Sequence, residues 1–257
     1  MLKKRLIFIL FYKEGVFCLS RNFRLQEVGD VRWLIDKFNF SQIGNFIDEL
    51  VIPDVSRYKY QNNNEIFTLA VKQIMTNIFV PLSLGGGVIN HDKVQNYFDS
   101  GADKIVLNSV ISKNTNFISS CIEKYGAQAV VGSIDFKREQ GEVLTYCDNG
   151  ENRYLKFDEH LKLFQKLGVG EIMINDIDRD GTGIGFDPMI LNSLPELSMP
   201  LIICGGAGKP EHFVEALKYR EVSAVGTGNL FNFIGNGFEK SRIYISNILD
   251  NVRNLES

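Results

Sequence analysis

Aspartates and glycines crowd together in one short stretch, residues 171–185. A short apolar run, Ile172–Ile174, leads into Asp176, Asp178, Asp180, Gly181, Gly183 and Gly185. Carboxylates on a flexible loop can exchange protons with a ligand or orient it, and enzymes with parallel strands place such loops at the C-terminal ends of those strands. The stretch therefore predicts a buried strand followed by a catalytic or binding loop.

Glycines also end two other strand-like runs, at Gly85–Gly87 and at Gly205–Gly206, and Asn108–Ser109 and Gly228–Asn229 end the runs that follow them. Glycine lets a backbone approach a ligand closely, and N–H groups at a helix start favour an anion. We expect two phosphate sites on opposite sides of one mouth, and hence a ligand with two phosphates or with one phosphate and a second anionic group. Tight turns without a ligand are the alternative.

The elements that must position these residues alternate along the whole chain. Strands are predicted at Arg5–Phe11, Glu49–Asp54, Val80–Leu84, Asp103–Asn108, Ala129–Asp135, Glu171–Asp176, Pro200–Cys204 and Ser223–Thr227. Amphipathic stretches between them include Val31–Phe46, Glu65–Thr76, Asn114–Tyr125, Lys156–Leu167 and Glu211–Leu217. This alternation predicts parallel strands with crossover helices, and eight units in 257 residues fit a (β/α)8 TIM barrel. A doubly wound open sheet is the alternative, but Gly85–Gly87 lacks its G-x-G-x-x-G spacing.

The sequence also repeats itself at about half its length. ELVIPD (49–54) resembles EIMIND (171–176), and PLSLGG (81–86) resembles PLIICGG (200–206) with an offset of 120 at the glycines. LFYKEG (10–15) resembles IDFKREQG (134–141), which sets Phe11 opposite Asp135. Two fused half-barrels explain these matches, and neither half could close a barrel alone. We therefore expect one domain over residues 1–257.

Composition excludes several classes of function. Hydrophobic residues make up 44% and charged residues 23%, as in globular proteins with a core. A net charge of −3 predicts no general attraction to nucleic acid or to an anionic membrane. Four scattered cysteines without a C-x-x-C pair predict reduced thiols in the cytoplasm, and three distant histidines predict no metal site. No cofactor is expected. The N-terminal apolar run lacks a cleavage site and reads as a first strand.

Longer motifs carry a specific resemblance. MLKKRL, IDELV, PLSLGGGV, GADKIVLNS, QAVVGSIDFKR, GEIMINDIDRDGTGIGFD and PLIICGGAGKPEHFVEAL resemble the cyclase subunit of imidazole glycerol phosphate synthase, a half-barrel-duplicated lyase of histidine biosynthesis. The resemblance covers nearly the whole chain. It implies a heterodimer in which a glutaminase subunit docks on the N-terminal face of the barrel. Ammonia then passes through the barrel to a bisphosphorylated substrate at the other mouth.

The resemblance also assigns roles to residues. It implies phosphate or substrate contacts at Gly86, Gly87, Asn108, Ser109, Asp180, Gly181, Thr182, Gly205, Gly206, Gly228 and Asn229. It implies a charged ammonia gate at the starts of four strands, formed by Arg5, Glu49, Lys104 and Glu171. Asp103 matches a position that contacts the glutaminase. From the residues alone, the four charges also fit solvated strand ends or a stabilising ring of salt bridges.

The pattern breaks at the catalytic pair. The family uses two aspartates as general acid and base, at the ends of strands one and five. Asp135 fills the second position, but the first is Phe11, which carries no titratable proton. The lysine of the first loop is replaced by Leu19, and the loop around 151–155 lacks a threonine–glycine pair. These departures predict a diverged paralogue.

Three functions remain open from the sequence. The chain could deliver ammonia to another phosphorylated or sugar-type acceptor, as in amidino-sugar formation for surface glycans with a third, ATP-using sugar amidotransferase. It could be a genuine cyclase in which Glu14 or water replaces the missing aspartate. It could also be a non-catalytic scaffold that activates a glutaminase and channels its ammonia.

Overall fold

Eight parallel strands close into a barrel in the computed structural model, which describes residues 3–37, 40–56, 64–76, 78–228 and 236–253. Each strand pairs with the next, and the last returns to the first through Ala224 and Arg5. The prediction of a (β/α)8 barrel is confirmed. Its strands are β1 (Arg5–Ile9), β5 (Glu49–Pro53), β6 (Leu82–Gly85), β7 (Lys104–Leu107), β8 (Val130–Glu139), β11 (Glu171–Asp176), β12 (Leu201–Cys204) and β13 (Val222–Thr227).

Helices cover the outside of this barrel. Asn90 and Asn114 cap two of them, since their side chains accept hydrogen bonds from the backbone N–H groups of Lys93 and Phe117. The helices of the described residues are α1 (Val31–Lys37), α2 (Phe40–Phe46), α3 (Asn64–Met75), α4 (His91–Asp99), α5 (Thr115–Tyr125), α6 (Phe157–Leu167), α7 (Pro188–Ser193), α8 (Pro210–Leu217) and α9 (Gly237–Ser246). None of the helices in these residues is long and apolar enough to cross a membrane.

Two antiparallel ribbons rise from the C-terminal ends of β1 and β8. The first ribbon consists of β2 (Phe11–Lys13), β3 (Val16–Arg21) and β4 (Arg24–Gly29). The second ribbon consists of the end of β8 with β9 (Glu142–Cys147) and β10 (Asn152–Lys156). The prediction of loops in both regions was wrong, because each region forms paired strands.

The predicted bounds of several elements also need correction. The first strand ends at Ile9 rather than Phe11, because the chain turns there into the first ribbon. The fifth strand does not stop at Asp135 but continues to Glu139, because its end pairs with β9. The predicted helix over 31–46 is described as the two helices α1 and α2.

The two halves of the barrel repeat the same hydrogen bonds. Val55 N donates to Tyr12 O at 2.8 Å, and Ile177 N donates to Phe136 O at 2.9 Å. Phe11 and Asp135 each stand one residue before these acceptors. The backbone frame therefore places Phe11 where the second half has Asp135, as the sequence repeat predicts.

One detail of the predicted repeat was wrong. Leu50 N donates to Pro81 O at 2.9 Å, and Ile172 N donates to Pro200 O at 3.0 Å, so Pro81 corresponds to Pro200. The offset is then 119 rather than 120. Gly86 and Gly87 correspond to Gly205 and Gly206, while Gly85 falls opposite Cys204. That residues 1–257 form one domain stays a prediction.

The segment after α9 is tied to the base of the barrel beside its first strand. Lys4 N donates to Asn251 O at 2.7 Å. Arg253 Nη2 donates to the backbone oxygens of Asn45 and Ile47 at 2.7 Å each, and Nε lies 3.1 Å from Asp48 Oδ1. These contacts tie the segment after α9 to the residues that precede β1 and β5.

Candidate active site

Four charged side chains meet at the N-terminal end of the barrel. Glu49 Oε2 lies 2.9 Å from Arg5 Nη1 and 3.0 Å from Lys104 Nζ. Glu171 Oε2 lies 2.9 Å from Lys104 Nζ, and its other oxygen pairs with Arg5 Nη2. Ser83 Oγ adds a hydrogen bond to Glu49 Oε1 at 2.6 Å. The four predicted gate residues thus form one closed ring of alternating charge, which we call the base ring.

The two carboxylates of the base ring are nearly withdrawn from water. Glu49 is 2% exposed and Glu171 is 5% exposed. Buried carboxylates keep their charge when cations and hydrogen-bond donors surround them, and here the two positive and two negative charges sum to zero. Asp103 lies exposed beside the ring, and its Oδ2 accepts a hydrogen bond from Leu82 N at 2.8 Å. This hydrogen bond is a structural reason for an aspartate at position 103. The contact of Asp103 with a glutaminase stays a prediction.

An apolar layer fills the barrel above the base ring. Its buried residues are Ile7, Ile9, Val51, Val106, Val131, Met173, Ile202, Cys204 and Ala224, and Phe11 packs against them from the mouth. The Cys204 thiol is fully buried, and burial raises its pKa, so it stays protonated and behaves as an apolar group. The interior between the two ends of the barrel therefore offers little to a charged species.

Asp135 ends this apolar interior on the second half of the barrel. Burial raises its pKa to about 7, although hydrogen bonds from Asn175 and Asn108 act in the opposite direction. The Asn108 bond joins Nδ2 to Asp135 Oδ2 at 3.1 Å. A carboxyl with this pKa can donate or accept a proton near neutral pH, which suits a general acid or base.

Phe11 is the first residue of β2, just beyond the end of β1, and lies between the apolar layer and Gly228. A Cβ placed on Gly228 would lie 3.4 Å from Phe11 Cε2, so the ring borders the end of β13. Phe11 gives the mouth an apolar wall on the side where the first half of the barrel begins and the second half ends. Of the two equivalent residues, Phe11 and Asp135, only Asp135 can exchange a proton.

The glycines predicted to hold phosphate make close backbone contacts of their own. A Cβ on Gly86 would lie 1.9 Å from Asp54 O, and one on Gly205 would lie 2.5 Å from Asp176 O. A Cβ on Gly206 would lie 2.2 Å from Gly185 O. All three have positive φ, between +89° and +108°. Close packing alone thus requires glycine here, and phosphate binding at these loops stays a prediction.

Asp180 and Thr182 are engaged within the protein. Asp180 Oδ2 accepts hydrogen bonds from Ser20 Oγ and from Phe23 N, and the Phe23 bond measures 3.1 Å. Burial raises the pKa of Asp180. Thr182 Oγ1 donates to Arg179 O at 2.7 Å, and Gly181 between them has φ +67°. Asp180 therefore fastens the first ribbon to the loop after β11.

Asn108 and Ser109 lie at the end of β7, next to Asp135. Besides its bond to Asp135, Asn108 Nδ2 donates to Ser133 O at 3.1 Å. Ser109 Oγ donates to Asn108 Oδ1 at 3.1 Å and accepts from Asp148 N at 2.7 Å. Of the remaining predicted contacts, Gly87 follows Gly86 with φ +56° and Gly228 follows β13, whereas Asn229 lies outside the described residues.

Sequence reasoning missed three residues that organise the mouth. Asn175 in β11 forms a hydrogen bond with Asp135. The two residues are opposite each other in the β8–β11 register, so aligning these two predicted strands would have identified Asn175. Asn22 Nδ2 holds the first ribbon through Ile177 O and Asp178 O. Arg179 Nη1 donates to Gly185 O at 3.0 Å and lies against Gly206. It is a cation beside the predicted phosphate loop of β12.

Within the described part of the chain, no cluster of three or more histidine, cysteine, aspartate or glutamate side chains could hold a metal ion. Within the described residues, the mouth combines two carboxyls whose pKa burial raises, Asp135 and Asp180, with amide and hydroxyl groups, glycine loops and an arginine. This set could bind an anionic ligand and exchange protons with it.

Comparison with known proteins gives a consistent assignment. The family model described as "Histidine biosynthesis protein" matches residues 28–235. A protein of Parasynechococcus marenigrum that carries the name of an imidazole glycerol phosphate synthase subunit, hisF2, is 42% identical over 94% of this chain and 90% of its own length. The imidazole glycerol phosphate synthase subunit HisF of Hydrogenobaculum sp. is 34% identical over 91% of this chain and 92% of its own length. The HisF subunit of Thermotoga sp. is 35% identical over 84% of each chain. The resemblance read from the sequence is thus confirmed, and the chain belongs to the histidine biosynthesis protein family, among the HisF subunits of imidazole glycerol phosphate synthase.

Proposed function

We propose that this chain is a diverged HisF paralogue that accepts ammonia from a glutaminase subunit at its base ring and delivers it to a phosphorylated or sugar-type acceptor at its mouth. One observation carries the proposal. The ring of Arg5, Glu49, Lys104 and Glu171 is complete, while the position equivalent to Asp135 holds Phe11. The base ring that would admit ammonia is complete, whereas the acid–base pair retains only Asp135.

The base supports transport of a small neutral molecule. The base ring carries no net charge, and the layer above it is apolar, so ammonia in its neutral, nucleophilic form is favoured over ammonium. Arg5 and Lys104 are each about one-fifth exposed, so a partner docked on the N-terminal face could reach them and open the ring. A glutaminase is the kind of partner that would supply ammonia at this face.

The mouth supports simpler chemistry than closure of an imidazole ring. With a pKa of about 7, Asp135 can donate or accept one proton, but it cannot do both at the same moment. Addition of ammonia to an activated carbon needs fewer coordinated proton transfers than cleavage and cyclisation. Amidino-sugar formation for surface glycans, with a third ATP-using sugar amidotransferase, fits such a site.

Two other functions compete with this proposal. Membership of the HisF family favours an imidazole glycerol phosphate synthase cyclase in histidine biosynthesis, with Glu14 or water in place of the missing aspartate. The engaged state of Asp180 and Ser109 favours a non-catalytic scaffold that only channels ammonia. Product formed from a candidate sugar by this chain and a glutaminase alone would exclude the scaffold.

The test is stimulation of a glutaminase. We expect the HisH-type glutaminase of the same genome to hydrolyse glutamine at least about tenfold faster with this chain, and Lys104→Met to abolish the stimulation by breaking the base ring. Lys156→Met is the matched control, because it breaks an exposed pair with Glu142 far from the ring. Failure to bind or stimulate any glutaminase would refute both the delivery and the scaffold hypotheses.

A further inference from the structure

The turn of the second ribbon is fastened to the predicted phosphate site at the end of β7. This turn, Asp148–Gly150, is called the second tip here. Asp148 N donates to Ser109 Oγ at 2.7 Å. Lys113 Nζ donates to Asp148 Oδ1 at 2.9 Å, and Asn152 Nδ2 donates to Oδ2 at the same distance. A carboxylate of the chain itself thus lies beside the hydroxyl that the resemblance assigns to phosphate.

The second tip also crosses to the other side of the mouth. Asn149 Nδ2 donates to Val55 O at 3.4 Å, in the loop after β5. A Cβ on Gly150 would lie 2.9 Å from Phe23 Cδ2 in the turn of the first ribbon. The two ribbons therefore meet over the mouth, and a ligand that reaches Ser109 must share this space with the second tip.

The charge of Asp148 is stabilised where it lies. Burial by itself would raise its pKa, but hydrogen bonds from Lys113 and Asn152 outweigh burial and lower the pKa below its usual range. Lys113 is half exposed, so the pair faces the solvent side of the pocket. The pocket thus already contains one anion and the cation that balances it.

We infer that Asp148 is an internal substitute for an anionic group of the acceptor, and that a phosphorylated acceptor binds at Ser109 and Lys113 by displacing the second tip. This inference rests on the proposed function, because it takes Ser109 as a phosphate contact. A phosphate would take over the Ser109 hydroxyl and the Lys113 ammonium, and its charge would repel the Asp148 carboxylate. Phosphate binding and closure of the second ribbon then compete.

The test uses inorganic phosphate as the probe and the full chain. We expect Asp148→Asn to bind phosphate about tenfold more tightly than the wild type in calorimetric titrations. The variant keeps the backbone bond to Ser109, but its closed form loses the charged pair with Lys113 and no carboxylate repels the phosphate. Glu142→Gln is the matched control, since it removes an exposed carboxylate–lysine pair from the same ribbon. It should leave the affinity unchanged. Ser109→Ala should weaken binding in both backgrounds.

Amide hydrogen exchange gives a second readout. Phosphate should accelerate exchange of the amides of residues 148–150 in the wild type, because it releases the bond from Asp148 N to Ser109. Equal affinity of wild type and Asp148→Asn, with loss in Ser109→Ala, would overturn the inference and leave the phosphate site standing. Absence of binding in both, or binding indifferent to Ser109→Ala, would overturn the phosphate site itself.

Discussion

The two halves of this barrel share a backbone frame but not their charges. At the base, the first half supplies both cations, Arg5 and Lys104, while the repeat places Ala129 and Ala224 at the equivalent positions of the second half. The glutamates are shared, because Glu49 and Glu171 are equivalent to one another. Under the proposed function, delivery of ammonia through the base would therefore depend mainly on the first half.

The mouth shows the reverse division. The second half supplies Asp135 with its raised pKa, and the first half supplies Phe11 at the equivalent position. Identical hydrogen bonds at the strand ends show that the frame did not change when the side chain did. Duplication thus preserved the scaffold and let each half specialise, the first in its base and the second in its mouth.

Restoring the missing carboxyl tests this division most strongly. If the frame still supports a pair, Phe11→Asp should raise ammonia-dependent turnover of the imidazole glycerol phosphate synthase substrate at least about 100-fold over the wild type, since a positioned acid or base contributes that much. The reaction is followed by release of the imidazole product. Efficient turnover by the wild type would instead show that Phe11 does not limit cyclisation.

The equivalence of the two glutamates can be broken next. Removing one partner of a buried ion pair leaves uncompensated charge, so Glu49→Gln and Glu171→Gln should each lower the free energy of unfolding by about 3 kcal/mol. Urea denaturation of both variants measures this. If one variant lost less than about half as much unfolding free energy as the other, the two glutamates would not contribute equally to the base ring.

The raised pKa of Asp135 predicts a dependence of stability on pH. Because the folded-state pKa of about 7 lies above that of an unfolded aspartate, folding favours the protonated form, and ionisation costs stability as the pH rises from about 4 to about 7. Asp135→Asn should remove this cost and stabilise the protein by about 2 kcal/mol at pH 8, with a smaller gain at pH 5. Denaturation at both pH values tests it. An equal gain at both would contradict the pKa shift.

The smallest effect is expected at the turns of the two ribbons. Gly15 and Gly141 have φ of +98° and +87°, and no atom lies within 4 Å of the Cβ that alanine would add. Gly15→Ala and Gly141→Ala should therefore cost only backbone strain, about 1 kcal/mol each. Thermal denaturation would reveal the difference between halves if one ribbon were held more tightly than the other.

Much of the frame was readable from the sequence. Alternation of apolar runs and amphipathic stretches predicts the eight parallel strands, and the repeat alone places Phe11 opposite Asp135. Charges at strand starts also indicated a common location, because parallel strands begin at one end of a barrel. These patterns are local in sequence. Because the strands are parallel, residues at the starts of different strands lie near one another at one end of the barrel.

The ribbons and their contacts were not readable in the same way. Val16–Arg21 carries a mixed pattern that a loop also allows, and its pairing with β4 depends on a turn at Asn22 and Phe23 that both adopt positive φ. The contacts of Asp180 with Ser20 and of Asp148 with Ser109 join residues distant in sequence. No spacing rule links such residues. Only the folded structure therefore shows that the predicted phosphate contacts Asp180 and Ser109 already form hydrogen bonds within the protein.

The parallel pairing of β1 with β13, which closes the barrel, has a consequence for how the chain reaches its native state. Among the eight barrel strands, β1 is synthesised before the others, and on one side it pairs with β13, the last of the eight. Until that partner arrives, the sheet carries an unpaired edge, and such edges invite association with other chains. Closure of the sheet therefore waits for β13, and the contact of Lys4 with Asn251 after α9 forms later still. Truncation there is expected to slow refolding and promote aggregation well before it touches the chemistry of the mouth.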